Sequence, residues 1–513
     1  MRIFIPFLSI LLLVAACQLM RDQPAPKKLT ELVSPLYQED KRPFYHGVAS
    51  GDPLTDRVIL WTRVTPDDSV ASVEARWELS TTEAFDPVLK RGSVTTSPLV
   101  DYTVKIDVSD LQPNTRYYYR FHALEKTSPV GRTKTLPSEN VDSLKFAVVS
   151  CSNWQHGYFN AYDRIASRDV DAVIHLGDYI YEYGIGNARN VDRRHLPEHE
   201  VITLQDYRTR YSQYHLDDGL RKMRQQHPII TIWDDHELAN DTYAQGAQNH
   251  QDQEEGDFAA RKTAARKAYY EWIPIREGGK HYRSFSFGSM AEVIMLDERQ
   301  EGRTKPAGGT SDPVYGSEDR SMLGKEQLNW FREKLQSSAS TWKVIGNQVM
   351  FSDLDRTAVN PNNPRNMDSW DGYPAEKKTI ADFIKSSAVE NVIFLTGDTH
   401  ASWAFEVVAS PFEKISAKAY PPVAIEFGTT SISSANSNES TPDDTVKLRE
   451  QLYLKTNPHL KFVNQRDHGY LLLTLYNEKA KAEWYFVGTV LKPDTTESLA
   501  KTLHVNRNSN MLH

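Results

Sequence analysis

Leu176-Gly177-Asp178-Tyr179-Ile180-Tyr181-Glu182 and Thr396-Gly397-Asp398-Thr399-His400 decide the architecture, because each ends a short apolar run on a Gly-Asp step followed by polar residues. Apolar runs of roughly four to eight residues that stop this way read as buried strands. The pattern extends outward. Runs at 144–150, 172–178, 229–237, 291–299, 342–349 and 391–400 alternate with amphipathic segments at 157–168, 204–226, 258–272, 323–337 and 375–385. Strands alternating with helices predict an α/β sheet covered by helices. Later runs at 423–427, 469–476 and 482–488 follow without helices between them, which implies a second mixed sheet. The expected fold is a four-layer α/β sandwich, two mixed sheets flanked by helices, over 143–490, with a C-terminal tail at 491–513.

Upstream, strand-like runs at 58–64, 72–80, 102–108 and 116–123 have no helical segment between them and predict a small all-β domain over 46–137. Leu111-Gln112-Pro113-Asn114-Thr115-Arg116-Tyr117 resembles the corner of a fibronectin-like sandwich, where a Tyr closes the turn into a strand. Residues 17–45, with Pro24, Pro26, Lys27 and Lys28, read as a tether. Arg2, the apolar run 3–14 and Ala15-Ala16-Cys17 read as an export signal over 1–16. That run is shorter than the roughly 20 residues a spanning helix needs. Val14-Ala15-Ala16-Cys17 resembles a bacterial lipobox, so the protein is expected in the cell envelope, anchored by a lipidated Cys17 at the outer membrane or periplasmic face. A formal charge of -8 gives no bulk attraction for nucleic acid. Oligomeric state is not legible.

Open α/β sheets bind ligands at the carboxyl ends of their strands. Four such ends carry chemistry: Val149-Ser150-Cys151, the stretch 176–182, Trp233-Asp234-Asp235-His236-Glu237 and the stretch 396–400. Singly, each reads first as a helix cap, a common turn or a plainly hydrogen-bonded His. Together, a thiol, a phenol, an imidazole and carboxylates point to a multi-metal site. Cys151, Tyr181, His400 and Asp178 suit a trivalent or borderline ion such as iron, while Asp235, Asp398 and a shared Asp178 suit a hard ion such as calcium. Cys17 and Cys151 are the only cysteines. If Cys17 carries lipid, metal ligation explains a lone thiol in an oxidising compartment. Two close metals favour phosphoester hydrolysis. His236 either contacts the phosphate or protonates the leaving group, or else supports the metal ligands. The aromatics Tyr207, Tyr211, Tyr214, Tyr269, Tyr270 and Trp272 read as core or as a substrate wall. The hydroxyls of 429–434 either face substrate or belong to a plain loop.

With these residues in view, the chain resembles the alkaline phosphatase D (PhoD-like) family of calcineurin-like metallophosphoesterases. The resemblance rests on His46-Gly47-Val48-Ala49-Ser50-Gly51-Asp52-Pro53, Trp61-Thr62-Arg63, Gly177 to Glu182, Trp233 to Glu237, Asn347-Gln348-Val349, Trp370-Asp371-Gly372-Tyr373-Pro374 and Gly397 to His400. The wider superfamily's Asp-x-His is absent at the first strand, and its Gly-Asn-His becomes Asp234-Asp235-His236, a departure that itself resembles this subfamily. The resemblance implies phosphomonoesterase or phosphodiesterase activity with Fe(3+) and two Ca(2+) ions. Cys151, Asp178, Tyr181 and His400 would hold iron, and Asp235, Asp398 and Asn240 calcium. Arg299 would clamp a phosphate oxygen, or else form a surface ion pair. The expected partner is a phosphate ester, either a small molecule or a polymer or lipid head group. Two alternatives accompany it. One is a phospholipase D-like or cell-envelope polymer phosphodiesterase; the other is a non-catalytic envelope binding protein with a structural metal site.

Overall fold

Strands Ser143–Val149, Ala172–His175 and Pro228–Thr231 run parallel to one another. The last two are buried at every residue, which is why their sequences are continuous apolar runs rather than alternating ones. The computed structural model describes residues 31–186, 191–408 and 421–513. In it these strands form the middle of a nine-stranded sheet. The order is Glu497–Asn506, Lys479–Val487, Gly469–Tyr476, Ser143–Val149, Ala172–His175, Pro228–Thr231, Val48–Gly51, Val58–Arg63 and Thr103–Val108.

A seven-stranded sheet faces it, with parallel strands Ala291–Met295, Trp342–Gly346, Val392–Thr396 and Ala424–Gly428 at its centre. Phe146, Val148, Ile174, Val293, Val344 and Leu395 fill the space between the sheets. Helices Leu204–Tyr214, Asp218–Gln226 and Phe258–Trp272 cover the outside of the first sheet, and Gly324–Ser337 and Pro374–Ser386 the outside of the second. This is the expected four-layer sandwich. A bridge between Ser150 and Ser431 joins the carboxyl ends of the two sheets, so the polar clusters that end their strands converge.

Strands Val73–Ser80, Lys90–Thr96, Arg116–Ala123, Lys126–Thr127 and Gly131–Lys134 form the separate small β-sheet. The Tyr117 hydroxyl accepts the Gln112 N–H at 2.8 Å, closing the expected corner. Three boundaries need correction. Strands Val48–Gly51, Val58–Arg63 and Thr103–Val108 belong to the large sheet, so 46–137 is not a free-standing unit. The end of the proposed tether is folded: Val33 and Tyr45 are buried, Tyr37 stacks on Tyr45 and Glu31 pairs with Arg63 at 2.6 Å. The proposed tail contributes strand Glu497–Asn506 at the edge of the large sheet. A helix, Asp443–Thr456, also lies where none was expected. The segment 204–226 is two helices, the second capped by Asp217. The export signal and Cys17 lie outside the described residues. No helix among the described residues is long and apolar enough to cross a membrane.

Candidate active site

Each strand end turns sharply into the site. Cys151, Asp178, Asp398 and His400 all take left-handed backbone conformations, with φ of 62°, 54°, 60° and 51°. Non-glycine residues adopt this region at a cost and cluster in it at functional sites. Gly177 allows the turn at Asp178: its φ is +105° and a Cβ there would lie 2.4 Å from the backbone nitrogen of Asp234. Glu237 fastens the two turns together by accepting the backbone N–H groups of Asp178 at 3.1 Å and Asp234 at 2.8 Å. The 429–434 hydroxyls do not face a substrate. Ser434 donates to the Cys151 carbonyl at 2.9 Å and Ser433 to that of Asn153 at 2.8 Å, which supports the Cys151 turn.

The structure gathers the expected residues. Ligand atoms of Cys151, Asp178 and His400 lie within 4.8 Å of one another, as do those of Asp178, Asp235 and His236, and those of Asp234, Asp235 and Asp398. The Tyr181 hydroxyl donates to Asp178 Oδ2 at 2.8 Å and lies 3.1 Å from His400 Nε2. His400 Nδ1 is 2.9 Å from the Ala435 carbonyl, which assigns the proton to that nitrogen and frees Nε2 as a ligand. His236 Nδ1 is 2.6 Å from the fully buried Glu182. Asn240 lies at the rim: its backbone donates to Glu182 at 2.8 Å and its side chain to Gln248 at 3.0 Å.

Arg299 departs from expectation. It is not a surface residue but is fully buried, and its guanidinium is engaged by carboxylates throughout. Nε donates to Asp234, one terminal nitrogen donates to both oxygens of Asp368 at 2.8 Å, and the other reaches Asp398 at 3.1 Å. Asp235 lies 3.7 Å from it. The group that was expected to clamp phosphate is therefore already taken up in positioning the acidic cluster.

Asp234, Asp241, Asp368 and Glu182 were not singled out beforehand, although Asp235, Asp241 and Asp368 form a fourth cluster. The adjacent pair in Asp234-Asp235 was a usable signal for the first. Asp368 lies two residues before Trp370-Asp371-Gly372, but nothing local marks it. The proposed aromatic wall is core: Tyr207, Tyr211, Tyr214, Tyr269 and Trp272 are buried in the cluster beneath the first sheet.

The electrostatics are those of an acidic pocket. Burial, reinforced by Asp178, pushes the Cys151 thiol up, and burial together with Asp178 does the same to the Tyr181 phenol. Burial raises Asp178 and Asp398 well above the usual carboxylate range. Burial also works against the charge on Asp235, but Arg299 and His236 outweigh it and hold that carboxyl low. His236 is raised because Asp235 and Glu182 overcome its desolvation, whereas burial lowers His400 to about 4.

Despite Arg299, Asp178 Oδ1, Asp234 Oδ2 and Asp235 Oδ1 are buried with no hydrogen-bond partner among the described residues. Buried carboxylate oxygens are normally satisfied by donors or cations. A thiol, a phenol, an imidazole and unsatisfied carboxylate oxygens around one space suit metal ions of mixed hardness.

The comparisons agree with this geometry. The sequence matches the family model of the PhoD-like phosphatase over residues 146–484 and that of the PhoD-like phosphatase N-terminal domain over 31–137. It is 38% identical over 479 residues to alkaline phosphatase D of Bacillus subtilis (strain 168), covering 88% of this chain and 79% of that protein. The solved structure of PhoD superposes with a TM-score of 0.84 at 35% identity, covering 93% of this chain and 92% of that one.

Proposed function

Since this chain belongs to the PhoD-like phosphatase family and is a phosphoric ester hydrolase, we propose that Cys151, Asp178, Tyr181 and His400 hold Fe(3+). Asp178, Asp235, Asp398 and Asn240 would hold two Ca(2+) ions. The observation that carries this reading is the set of buried, unsatisfied oxygens on Asp178, Asp234 and Asp235 beside a thiol. Bound there, such cations supply Lewis acidity, charge for phosphoryl oxygens and a lowered pKa for water.

The chain's own residues do the rest. Glu182 accepts the Nδ1 proton of His236 and stabilises its charged form, which suits His236 to meet a phosphoryl oxygen and return a proton to the leaving alcohol. Arg299 positions Asp234, Asp368 and Asp398 rather than touching the substrate. Glu237 sets the distance between the Asp178 and Asp234 turns. No feature of the described site favours the phospholipase D-like, envelope-polymer or non-catalytic readings. The Val14-Ala15-Ala16-Cys17 sequence supports lipid anchoring at the cell envelope as part of the same proposal.

The test uses protein lacking residues 1–17. Elemental analysis is expected to give about one iron per chain, with calcium-dependent turnover of a nitrophenyl phosphate monoester or its bis-nitrophenyl diester. Cys151→Ser is expected to lose iron and to lower turnover by more than the roughly 10–100-fold that removing a ligand's supporting partner costs. Folded protein that stays inactive after iron and calcium are restored would sink the metal assignment.

A further inference from the structure

We propose that a cavity of about 200 Å³ beside the acidic cluster receives the alcohol portion of the ester and selects a single flat aromatic ring bearing an anionic substituent. The inference rests on the phosphatase reading, because it takes the phosphoryl group to lie at the cluster.

Asp398 fixes the location. Its carboxylate lies with those of Asp234 and Asp235 in the cluster, and the same residue lines the cavity together with Thr399. An ester whose phosphorus sits at the cluster therefore has this cavity as the neighbouring space for its alcohol.

The walls define what fits. Trp403 is pinned by its indole N–H, which donates to Thr399 Oγ1 at 2.8 Å. It lies edge-on to Tyr453 with ring centroids 5.9 Å apart. Met350 and Leu354 complete an apolar surface that belongs to its own small cluster, apart from the three cores between and outside the sheets. Aromatic walls favour a ring in offset or edge-to-face contact. Size agrees, since an engineered apolar cavity of about 150 Å³ accepts benzene.

The charge pattern supplies the substituent. Asp371 also borders the cavity, but its carboxylate is neutralised by Lys377 at 2.8 Å. Arg356, half-buried on the wall, makes no ion pair with a carboxylate among the described residues and hydrogen-bonds the Tyr453 phenol. An anionic group on the ring would meet the guanidinium in a charge-assisted contact.

The experiment measures competitive inhibition of the metal-loaded enzyme by methylphosphonate, phenylphosphonate and 4-carboxyphenylphosphonate. Each carries the same phosphoryl mimic, so methylphosphonate reports the cluster alone. Phenylphosphonate is expected to bind about tenfold more tightly than methylphosphonate, and the carboxylated ring several-fold more tightly again. Tyr453→Leu should shrink the first ratio. Arg356→Met, a change at a half-exposed position, should remove the second.

Inhibition by methylphosphonate with no advantage for either ring overturns the subsite while leaving the phosphatase reading intact. Ring preference that survives both substitutions overturns the assignment to this cavity. Absence of turnover and of inhibition by all three compounds overturns the underlying reading and the subsite with it.

Discussion

Arg299 and Arg224 are both wholly withdrawn from solvent, yet they sit in opposite surroundings. Arg299 lies among Asp234, Asp235, Asp368 and Asp398, whose charges raise its pKa against the pull of burial. Arg224, on the helix beneath the N-terminal strands, has its guanidinium 4.5 Å from the Trp61 ring centroid, and none of its nitrogens has a hydrogen-bond partner among the described residues. Burial alone lowers it, with Tyr179 and Tyr119 opposing. The contrast shows that this fold can hold a buried guanidinium against a single aromatic face, with no carboxylate partner among the described residues. The carboxylates around Arg299 are therefore more than Arg299 requires, and oxygens left over on Asp178, Asp234 and Asp235 fit further cations.

The largest expected effect breaks the first environment. Arg299→Met leaves the carboxylates facing one another, and removing one partner of a buried pair typically costs about 3–5 kcal/mol. Denaturant unfolding of metal-stripped protein near neutral pH should show a loss of that size, and metal loading should recover part of it. A loss no larger in the stripped than in the loaded form would mean that Arg299 and the metals do not share the same carboxylates.

Arg224→Met is the matched experiment in the second environment. No carboxylate is left uncompensated there, and replacing even a buried ion pair with well-packed apolar side chains is often neutral or stabilising by about 1–4 kcal/mol. Unfolding midpoints with an unchanged denaturant slope should show no loss, or a gain within that range. Destabilisation by about 2 kcal/mol or more would show that the Trp61 face contributes the full cation–π attraction of a desolvated site and outweighs the cost of burying the charge.

The difference between the two arginines also marks what was legible in the sequence. Cys151, Asp178, Asp235, Asp398 and His400 could be found because each ends an apolar run, and a parallel sheet brings such ends together. Arg299 also ends a run, but its burial depends on Asp234 and Asp368, which are 65 and 69 residues away. No local pattern encodes that. Strand Glu497–Asn506 is not marked in the sequence because half of its residues are exposed at a sheet edge and it carries no apolar run. Helix Asp443–Thr456 buries only Val446, Glu450 and Tyr453, too few to give a helical apolar period. The folded end of the tether is held by the Tyr37–Tyr45 stack and the Glu31–Arg63 pair, contacts that a Pro- and Lys-containing composition does not reveal.

The smallest effect sharpens the comparison by asking how hostile to charge the end of Arg224's helix is. His227 follows the helix that carries Arg224, is buried, and contacts the Ile165 carbonyl at 3.1 Å. Burial lowers it to about 4, with Arg132 adding to the shift and Asp169 opposing it. An unfolded His titrates near 6.5. Because the folded value is the lower one, the stability contribution is fully present above pH 6.5 and is lost as the pH falls toward 4. At pH 5.5 the loss should be about 1.4 kcal/mol. Unfolding at pH 7.5 and 5.5 should therefore show the wild type losing about that much more than His227→Gln. Equal losses would mean that an imidazolium is tolerated at the end of this helix, against the direction in which burial moves His227. The expected difference would show that one helix excludes charge from the His227 imidazole while it carries Arg224, whose guanidinium is weakly hydrated, keeps its charge when buried and lies over the Trp61 ring.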